Sequence, residues 1–476
     1  MTGIGRALAV GWLSMAAGLA VAAALLNIAS DRFTWVTPLA DIPALELTVG
    51  YCLCGLLFAG LGWLVPATVR ARGDGVVIVS AMLAFGLALR VILLLSTPAL
   101  EDDFYRYLWD GAVTAAGLNP YEWAPAMAAA PAAPAALQDL AAASGAIIDR
   151  VNHPEIKTIY PPVAQAWFAL SYLIEPWSLL AWRSIGLACE VVTVGLILAL
   201  LQACGRSGLW AALYWWNPVV IKELANSAHM EFILLPLVLA ALWLAARQRH
   251  LLAVIALGLA VGAKLWPVVL LPLLFRPLLS QPQKLAPAAS IFAVMCLLWA
   301  LPPLLGGLDQ TSGFVAFASH WQTNSALFPV LSGAASAIGA VFGIAPVSAG
   351  IALRVLLAAA VALAAVTASR QSYSTPAGLV HRSALVVCAL FLLSPAQFPW
   401  YATWVLLFLP FVPLAGLFVI TVTIPLYYLS FHFAAAGHHD VFNTWIVWVV
   451  WLPVWALLAL DVARGRLRQA HGPVDA

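Results

Sequence analysis

The sequence predicts an all-α, polytopic transmembrane bundle, and three observations carry that expectation. Hydrophobic residues make up 64% of the 476-residue chain and charged residues only 9%. The mean hydropathy is +0.97. Apolar stretches recur along the whole length, separated by short connections that hold arginine, proline or glycine. A soluble core cannot hide so much apolar surface, so a lipid bilayer is the solvent the composition suits. Residues 1–476 read as one integral membrane domain.

The first apolar stretch, near 8–28, follows Arg6. It exceeds the roughly 7–15 apolar residues of a cleavable signal, which predicts a retained signal anchor. Further spans are expected near 47–68, 75–97, 183–203, 208–221, 230–246, 251–264, 265–276, 286–304, 348–369, 383–396, 400–412, 413–432 and 443–462. The bundle thus has about 12–14 spans, several shorter than the roughly 20 residues of a full crossing. Asn217-Pro218, Pro267 and Pro399 interrupt them. Broken helices are tolerated where they pack in protein or line a cavity, so a cavity is expected. No internal repeat is visible at a fixed period.

Orientation follows from the short connections, because positive residues favour the cytoplasmic side. Arg6, Arg70/Arg72, Arg206, Arg247/Arg249, Arg276/Lys284, Arg370/Arg382 and Arg464/Arg466/Arg468 fall on one side when both termini are cytoplasmic. Two large connections, about 100–182 and 306–348, then lie outside. The six cysteines sit in apolar segments, and Cys52 with Cys54 is too tight a pair for a zinc or redox motif, so they read as small core residues. The net charge of +2 comes from scattered residues with no basic stripe, which excludes nucleic acid as a partner.

Chemistry is expected in the first outer connection. Between 101 and 160 it holds eight acidic residues against three basic ones. Its start is Glu101-Asp102-Asp103-Phe104-Tyr105-Arg106-Tyr107-Leu108-Trp109-Asp110-Gly111, directly after an apolar run. Charge beside a membrane is costly unless hydrated or paired, so this cluster marks a functional site. If the segment is helical, Asp103, Arg106, Tyr107 and Asp110 share one face by i, i+3, i+4 and i+7 spacing, and Arg106 is placed to bridge two carboxylates. The functional reading is a base carboxylate oriented beside a substrate and held by the arginine, with Glu101 and Asp102 read as hydrated. The bland alternative is a helix start where carboxylates meet the dipole. The middle, Ala124 to Ala143, is rich in alanine and proline and reads as broken helix or loose chain.

Several cations oppose the charge rule: Arg90, Arg183, Lys222, Lys264 and Arg354 fall in the outer half. Such cations pair with an anion, either Glu190, Glu223 or Glu231 or a ligand phosphate. Lys264, in Gly262-Ala263-Lys264-Leu265-Trp266-Pro267, has no acid near it in sequence, so a lipid phosphate is its expected partner, with Arg90 and Arg354 as further phosphate candidates. Three clusters project to the same side: Asn217-Pro218 leading to His229 and Glu231; His320-Trp321-Gln322-Thr323-Asn324; and Gln397-Phe398-Pro399-Trp400-Tyr401. Rings pack on sugar faces and amides bond hydroxyls, so His229, Glu231, His320, Asn324, Gln397, Trp400 and Tyr401 are candidate substrate contacts. Interfacial aromatics are the bland alternative. His438-His439-Asp440 reads as solvated rather than as a metal site, and no metal or cofactor is expected.

With Gly117-Leu118-Asn119-Pro120-Tyr121 and Tyr160-Pro161-Pro162, the acidic motif resembles the first outer loop of GT-C superfamily glycosyltransferases. The likeness is closer to bacterial mannosyltransferases of the phosphatidylinositol-mannoside and lipomannan type, and to the first mannosyltransferase of GPI assembly. Asn217-Pro218, His229/Glu231, Lys264-Leu265-Trp266-Pro267 and Pro399-Trp400-Tyr401 match that family's order over roughly residues 75–410. Glu231 stands where many relatives carry aspartate. The resemblance implies a multi-pass enzyme of a bacterial cytoplasmic membrane, its active site extracytoplasmic. It would move a sugar such as mannose, with inversion, from a polyprenol-phosphate donor substrate to a lipid or glycan acceptor. The family's catalytic aspartate maps to Asp103, with Asp102 in reserve. Arg106, Tyr107, Asp110, Tyr160 and Asn217 join the substrate-binding set. The rival class is a transporter or lipid flippase, for which buried charges and broken helices are equally natural but a long acidic loop is not needed.

Overall fold

The computed structural model describes residues 3–73, 75–370 and 375–465, leaving Arg466, Arg468 and the side chain of Arg72 outside the description. Among the described residues the secondary structure is helical throughout, with one isolated bridge pairing Thr323 and Ala396. Nine helices there are long and apolar enough to cross a membrane. Five shorter apolar helices accompany them: Pro162–Ile174, Glu231–Ala246, His250–Ala263, Trp266–Leu278 and Leu327–Val341.

The N-terminal part sets the frame. Helices α1 (Gly3–Ala29), α2 (Ala44–Ala59), α3 (Leu61–Arg72) and α4 (Val76–Leu93) cover the first three expected spans. The span near 47–68 is a helix that breaks at Gly60. The acidic segment forms α5 (Asp103–Ala115), followed by α6 (Ala135–Ala143), α7 (Pro162–Ile174) and α8 (Leu179–Ala203). The backbone of α5 lies tight on α7, since a Cβ at Gly111 would come within 2.4 Å of the Phe168 carbonyl oxygen. Tyr107 stacks on Phe168 at 4.8 Å, and Phe168 and then Trp182 continue the contact to Phe232. The acidic helix is therefore bolted to the bundle rather than free in an outer loop.

One expectation is corrected. The region near 208–221 is a chain of short turns rather than a span: Asn217 caps Pro218–Val220 and a π-helical turn runs Ile221–Asn226. Proline removes the amide that a continuous helix needs. Within the second connection expected at 306–348, Leu327–Val341 forms an apolar helix that pairs with Pro346–Arg370 and exposes Val330, Ile338 and Val341.

A cavity of about 1420 Å³ opens at one end of the bundle. Its wall comes from the C-terminal ends of α1, α4, His250–Ala263 and Pro376–Leu393 and from the starts of α5 and α8. Following the helices away from it, Arg70, Arg206, Arg247, Arg249, Arg276, Lys284 and Arg370 lie in or beside connections at the opposite end.

Arg90 shows how the bundle neutralises its own charge. Its guanidinium meets Glu190 at 2.5 Å, bonds the Gly86 and Trp215 carbonyls, and lies 3.5 Å over the Trp215 ring, while Tyr214 donates to the other Glu190 oxygen at 2.7 Å. Arg90→Ala leaves Glu190 buried and unpaired, and breaking such a pair costs about 3–5 kcal/mol. The expected outcome is a clear fall in the thermal unfolding midpoint in detergent, which Arg90→Met combined with Glu190→Leu largely restores.

Candidate active site

The floor of the cavity is a row of carboxylates separated by cations. Asp102 and Asp103 both line it, and the Asn152 side-chain amide donates to the two at once, 3.0 Å to Asp102 and 2.7 Å to Asp103. The second Asp103 oxygen faces the Tyr107 hydroxyl at 3.4 Å and His229 Nδ1 at 3.5 Å. On its other edge, His229 Nε2 lies 3.3 Å from Glu101 and 3.7 Å from Glu223. Trp400 stacks on the His229 ring at 3.9 Å. A fully buried imidazole thus sits among carboxylates with an indole lid.

Two unusual backbone positions put these groups together. Leu100 and Ala228 hold φ values of 58° and 60°, in the left-handed region that non-glycine residues enter at a cost. Leu100 directly precedes the acidic row and Ala228 directly precedes His229. Packing compensates for the strain: Asn226 bonds the Ala99 amide, the Thr97 carbonyl and Ser96, while Arg183 donates to the carbonyls of Leu94, Ser96 and Asn226. Below lies a second layer, where Lys222 sits near Glu101 and Glu223, and Tyr428 donates to Glu101 at 2.5 Å and to Glu223 at 3.0 Å. The donor atoms of Glu101, Glu223 and His229 converge within 4.8 Å, a spacing that suits a metal. The Lys222 ammonium and the Tyr428 hydroxyl contact two of these three groups, Glu101 and Glu223.

The two aspartates are electrostatically unequal. Burial pushes Asp103 up, yet the His229 ring, Asn152 and Lys264 overcome it and hold its pKa below the usual carboxylate value. Asp102 is pushed up to about 7 by burial and by the charges of Asp103 and Glu101. Burial disfavours charge on His229, but Glu101 and Asp103 hold its pKa at about 10. At neutral pH the pair is therefore one firmly ionised carboxylate beside one half-titrated acid, next to an imidazolium.

Lys264 stands on another wall. It is ion-paired with Glu231, 33 positions earlier in sequence, and lies 4.1 Å over the Tyr401 ring and 5.1 Å from that of Trp404. The expectation that it lacks a protein acid is corrected: helix ends bring Glu231 to it. Its side chain keeps 19% exposure toward the cavity, and Trp266 and Trp404 beside it carry buried indole N–H groups with no protein partner. Such donors suit an anionic ligand.

Asp102, Asp103, Arg106, Tyr107, Tyr160, Lys264, Trp400 and Tyr401 line the cavity, and His229 lies just beneath. Arg106 has unexpected partners, and the remaining candidates lie elsewhere. Arg106 bridges no carboxylates: it donates to the carbonyls of Asn152, His153 and Ile156, which offer it three acceptors in one loop. Asp110 accepts from Thr158 at 2.5 Å and from Gln165. Asn217 is a buried helix cap, Glu231 is the lysine partner, and Arg90 serves Glu190. His320 is exposed off the cavity. Arg354 bonds the Trp321 carbonyl, while Asn324 and Gln397 tie two connections together. Sequence reasoning missed Asn152, Glu101 as a network member, Tyr428 and Trp404. Asn152 lies 49 positions from Asp103, with no motif to announce the contact.

The chain is a polytopic helical bundle whose end cavity joins an ionised aspartate to a lysine set among aromatic rings. Residues 4–279 match the family model for the N-terminal domain of alpha-(1->6)-mannopyranosyltransferases, and the chain belongs to that family. It is similar to alpha-(1->6)-mannopyranosyltransferase A of Mycobacterium tuberculosis, at 26% identity over 344 residues. That alignment covers 66% of this chain and 61% of the relative. No solved structure matches.

Proposed function

We propose that the protein is an inverting mannosyltransferase that uses a polyprenol-phosphate sugar and works on the extracytoplasmic face. The observation that carries the reading is the pairing in one cavity of the ionised Asp103 with Lys264 and its unpartnered indole donors. Asp103 takes the proton of an acceptor hydroxyl as that oxygen attacks the anomeric carbon. The bond from that carbon to the phosphate oxygen breaks, and the lipid phosphate leaves with the electron pair. Lys264, Trp266 and Trp404 stabilise the growing phosphate charge where water is partly excluded. An alpha product formed with inversion requires a beta-linked donor. The relative's printed activity supports mannose as the sugar.

The facing of the cavity is supported by charge. The connections bearing Arg70, Arg206, Arg247, Arg249, Arg276 and Lys284 lie at the end away from it, and positive connections favour the cytoplasm. Both termini then lie on the cytoplasmic side of a bacterial inner membrane. A lipid or glycan hydroxyl is the acceptor.

Three outcomes test the reading. Asp103→Asn, correctly inserted, is expected to lower transfer from polyprenyl-phosphate mannose by at least about 100-fold, the low end of general base catalysis; turnover near wild type in a reconstituted radiolabel assay refutes the base. Lys264→Ala is expected to raise the donor KM by about tenfold or more while the acceptor KM changes little, because a charge-assisted phosphate contact is lost. Asp102, with its pKa at about 7, gains charge as pH rises through neutrality and repels the donor phosphate. The donor kcat/KM therefore falls above about pH 7, and Asp102→Asn removes the inflection while keeping transfer.

A further inference from the structure

The proposed reading leaves one wall of the cavity without a ligand. Lys264, Tyr401, Trp404 and Trp266 form the cationic wall. The wall next to Asn152 differs: His153 meets the Trp321 ring edge-on at 4.7 Å, and Phe317 stacks on Trp321 at 5.9 Å, all three lining the same cavity. Of the cations on this side, Lys157 is bonded to Asp309 at 2.8 Å and to the Gly306 carbonyl, Arg106 donates to the Asn152 and His153 carbonyls, and Arg150 donates to the Tyr105 hydroxyl. Aromatic rings set this close together suit the C–H face of a sugar. Asn152, which holds both aspartates, directly precedes His153 in the chain, so this wall adjoins the base.

Trp321 is also held through its backbone. Arg354 donates to its carbonyl at 3.0 Å and lies 4.7 Å over the Phe328 ring. The next residues pair with the segment that carries Trp400: Thr323 donates to the Pro395 carbonyl and accepts from the Gln397 amide, while Asn324 donates to the Gln397 carbonyl. Trp451 donates to the Asn324 carbonyl at 2.5 Å. Candidates that sit off the cavity, Arg354, Asn324 and Gln397, thus fix the Trp321 backbone.

We propose that Trp321 is an acceptor-binding residue, a platform on which an uncharged pyranose ring of the acceptor lies so that one hydroxyl reaches Asp103. This rests on the mannosyltransferase reading and adds to it a residue that selects a glycoside over a bare lipid alcohol. Because every anchor of the connection except ring packing is a backbone contact, removing the indole leaves the scaffold in place.

The test compares wild type, Trp321→Ala and Trp321→Phe as full-length protein, using octyl α-mannoside as acceptor and polyprenyl-phosphate mannose as donor. Trp321→Ala is expected to raise the acceptor KM by about tenfold, the effect of one lost stacking contact. The donor KM and donor hydrolysis by water stay within about twofold, and Trp321→Phe recovers most of the loss. Equilibrium binding of radiolabelled octyl α-mannoside, measured with no donor present, should weaken in the same order. Unchanged acceptor binding in a folded Trp321→Ala protein overturns the platform, as does a parallel rise in donor KM. Mannoside binding that depends on Trp321 in a wild-type protein that transfers no sugar keeps the platform and overturns the transferase reading instead.

Discussion

His229 is the group on which the site depends. Glu101, Asp103 and Glu223 all lie within 3.7 Å of its ring nitrogens, and it is itself fully buried. Carboxylates brought this close repel one another, and a low local dielectric magnifies the repulsion. An imidazolium between them turns a mutual repulsion into a shared attraction, and Trp400 on its face excludes the water that would screen it. The strained Ala228, the π-helical turn before it and the Arg183 staple all serve to deliver that ring. A π turn in this position is a common mark of a functional constraint on a helix.

Misplaced cations divide by how completely their partners use them. Arg90 gives its charge to Glu190 and a face to Trp215, and it is buried and does not line the cavity. Lys264 also has a carboxylate, yet it keeps an exposed side on the cavity and rings that attract cations. An ion pair that retains an open side can take a second anion; one sealed by carbonyls and an indole cannot. The same reasoning separates Arg106, consumed by three loop carbonyls, from the aspartates it was expected to bridge.

Composition and span periodicity were enough to read the bundle, because burial in lipid acts on averages over some twenty residues. The acidic motif was legible too, since Asp103 and Tyr107 are one helical turn apart and their contact is local. What escaped was set by distance along the chain. Glu231 reaches Lys264 and Tyr428 reaches Glu101 only because helices of fitted length return their ends to one place, and no spacing rule encodes that. The broken stretch after 208 was misread for a related reason: hydropathy registers apolar residues, not the Asn217 cap that stops the helix. Glu101 read as hydrated because its neighbours are acidic, whereas Lys222, Tyr428 and His229, all more than 100 positions away, draw it inward.

Under the proposed mechanism adjacent aspartates raise the question of which one serves as base, and their unequal neighbours favour Asp103. The Asn152 amide is common to both and so cannot distinguish them. His229 and Tyr107 face Asp103 alone. The first keeps that carboxylate ionised, and the second holds one oxygen in a fixed direction, leaving Asp102 to bear the cost of their proximity as a raised pKa. A base must be ionised and oriented before the acceptor arrives, and of the pair only Asp103 has both properties. Its pKa lies low for a base that must accept a proton, so the driving force for proton transfer has to come from the reaction itself. In the proposed transfer, an oxocarbenium-like transition state makes the acceptor hydroxyl strongly acidic as its oxygen bonds to carbon, and a weak but fixed carboxylate is then sufficient.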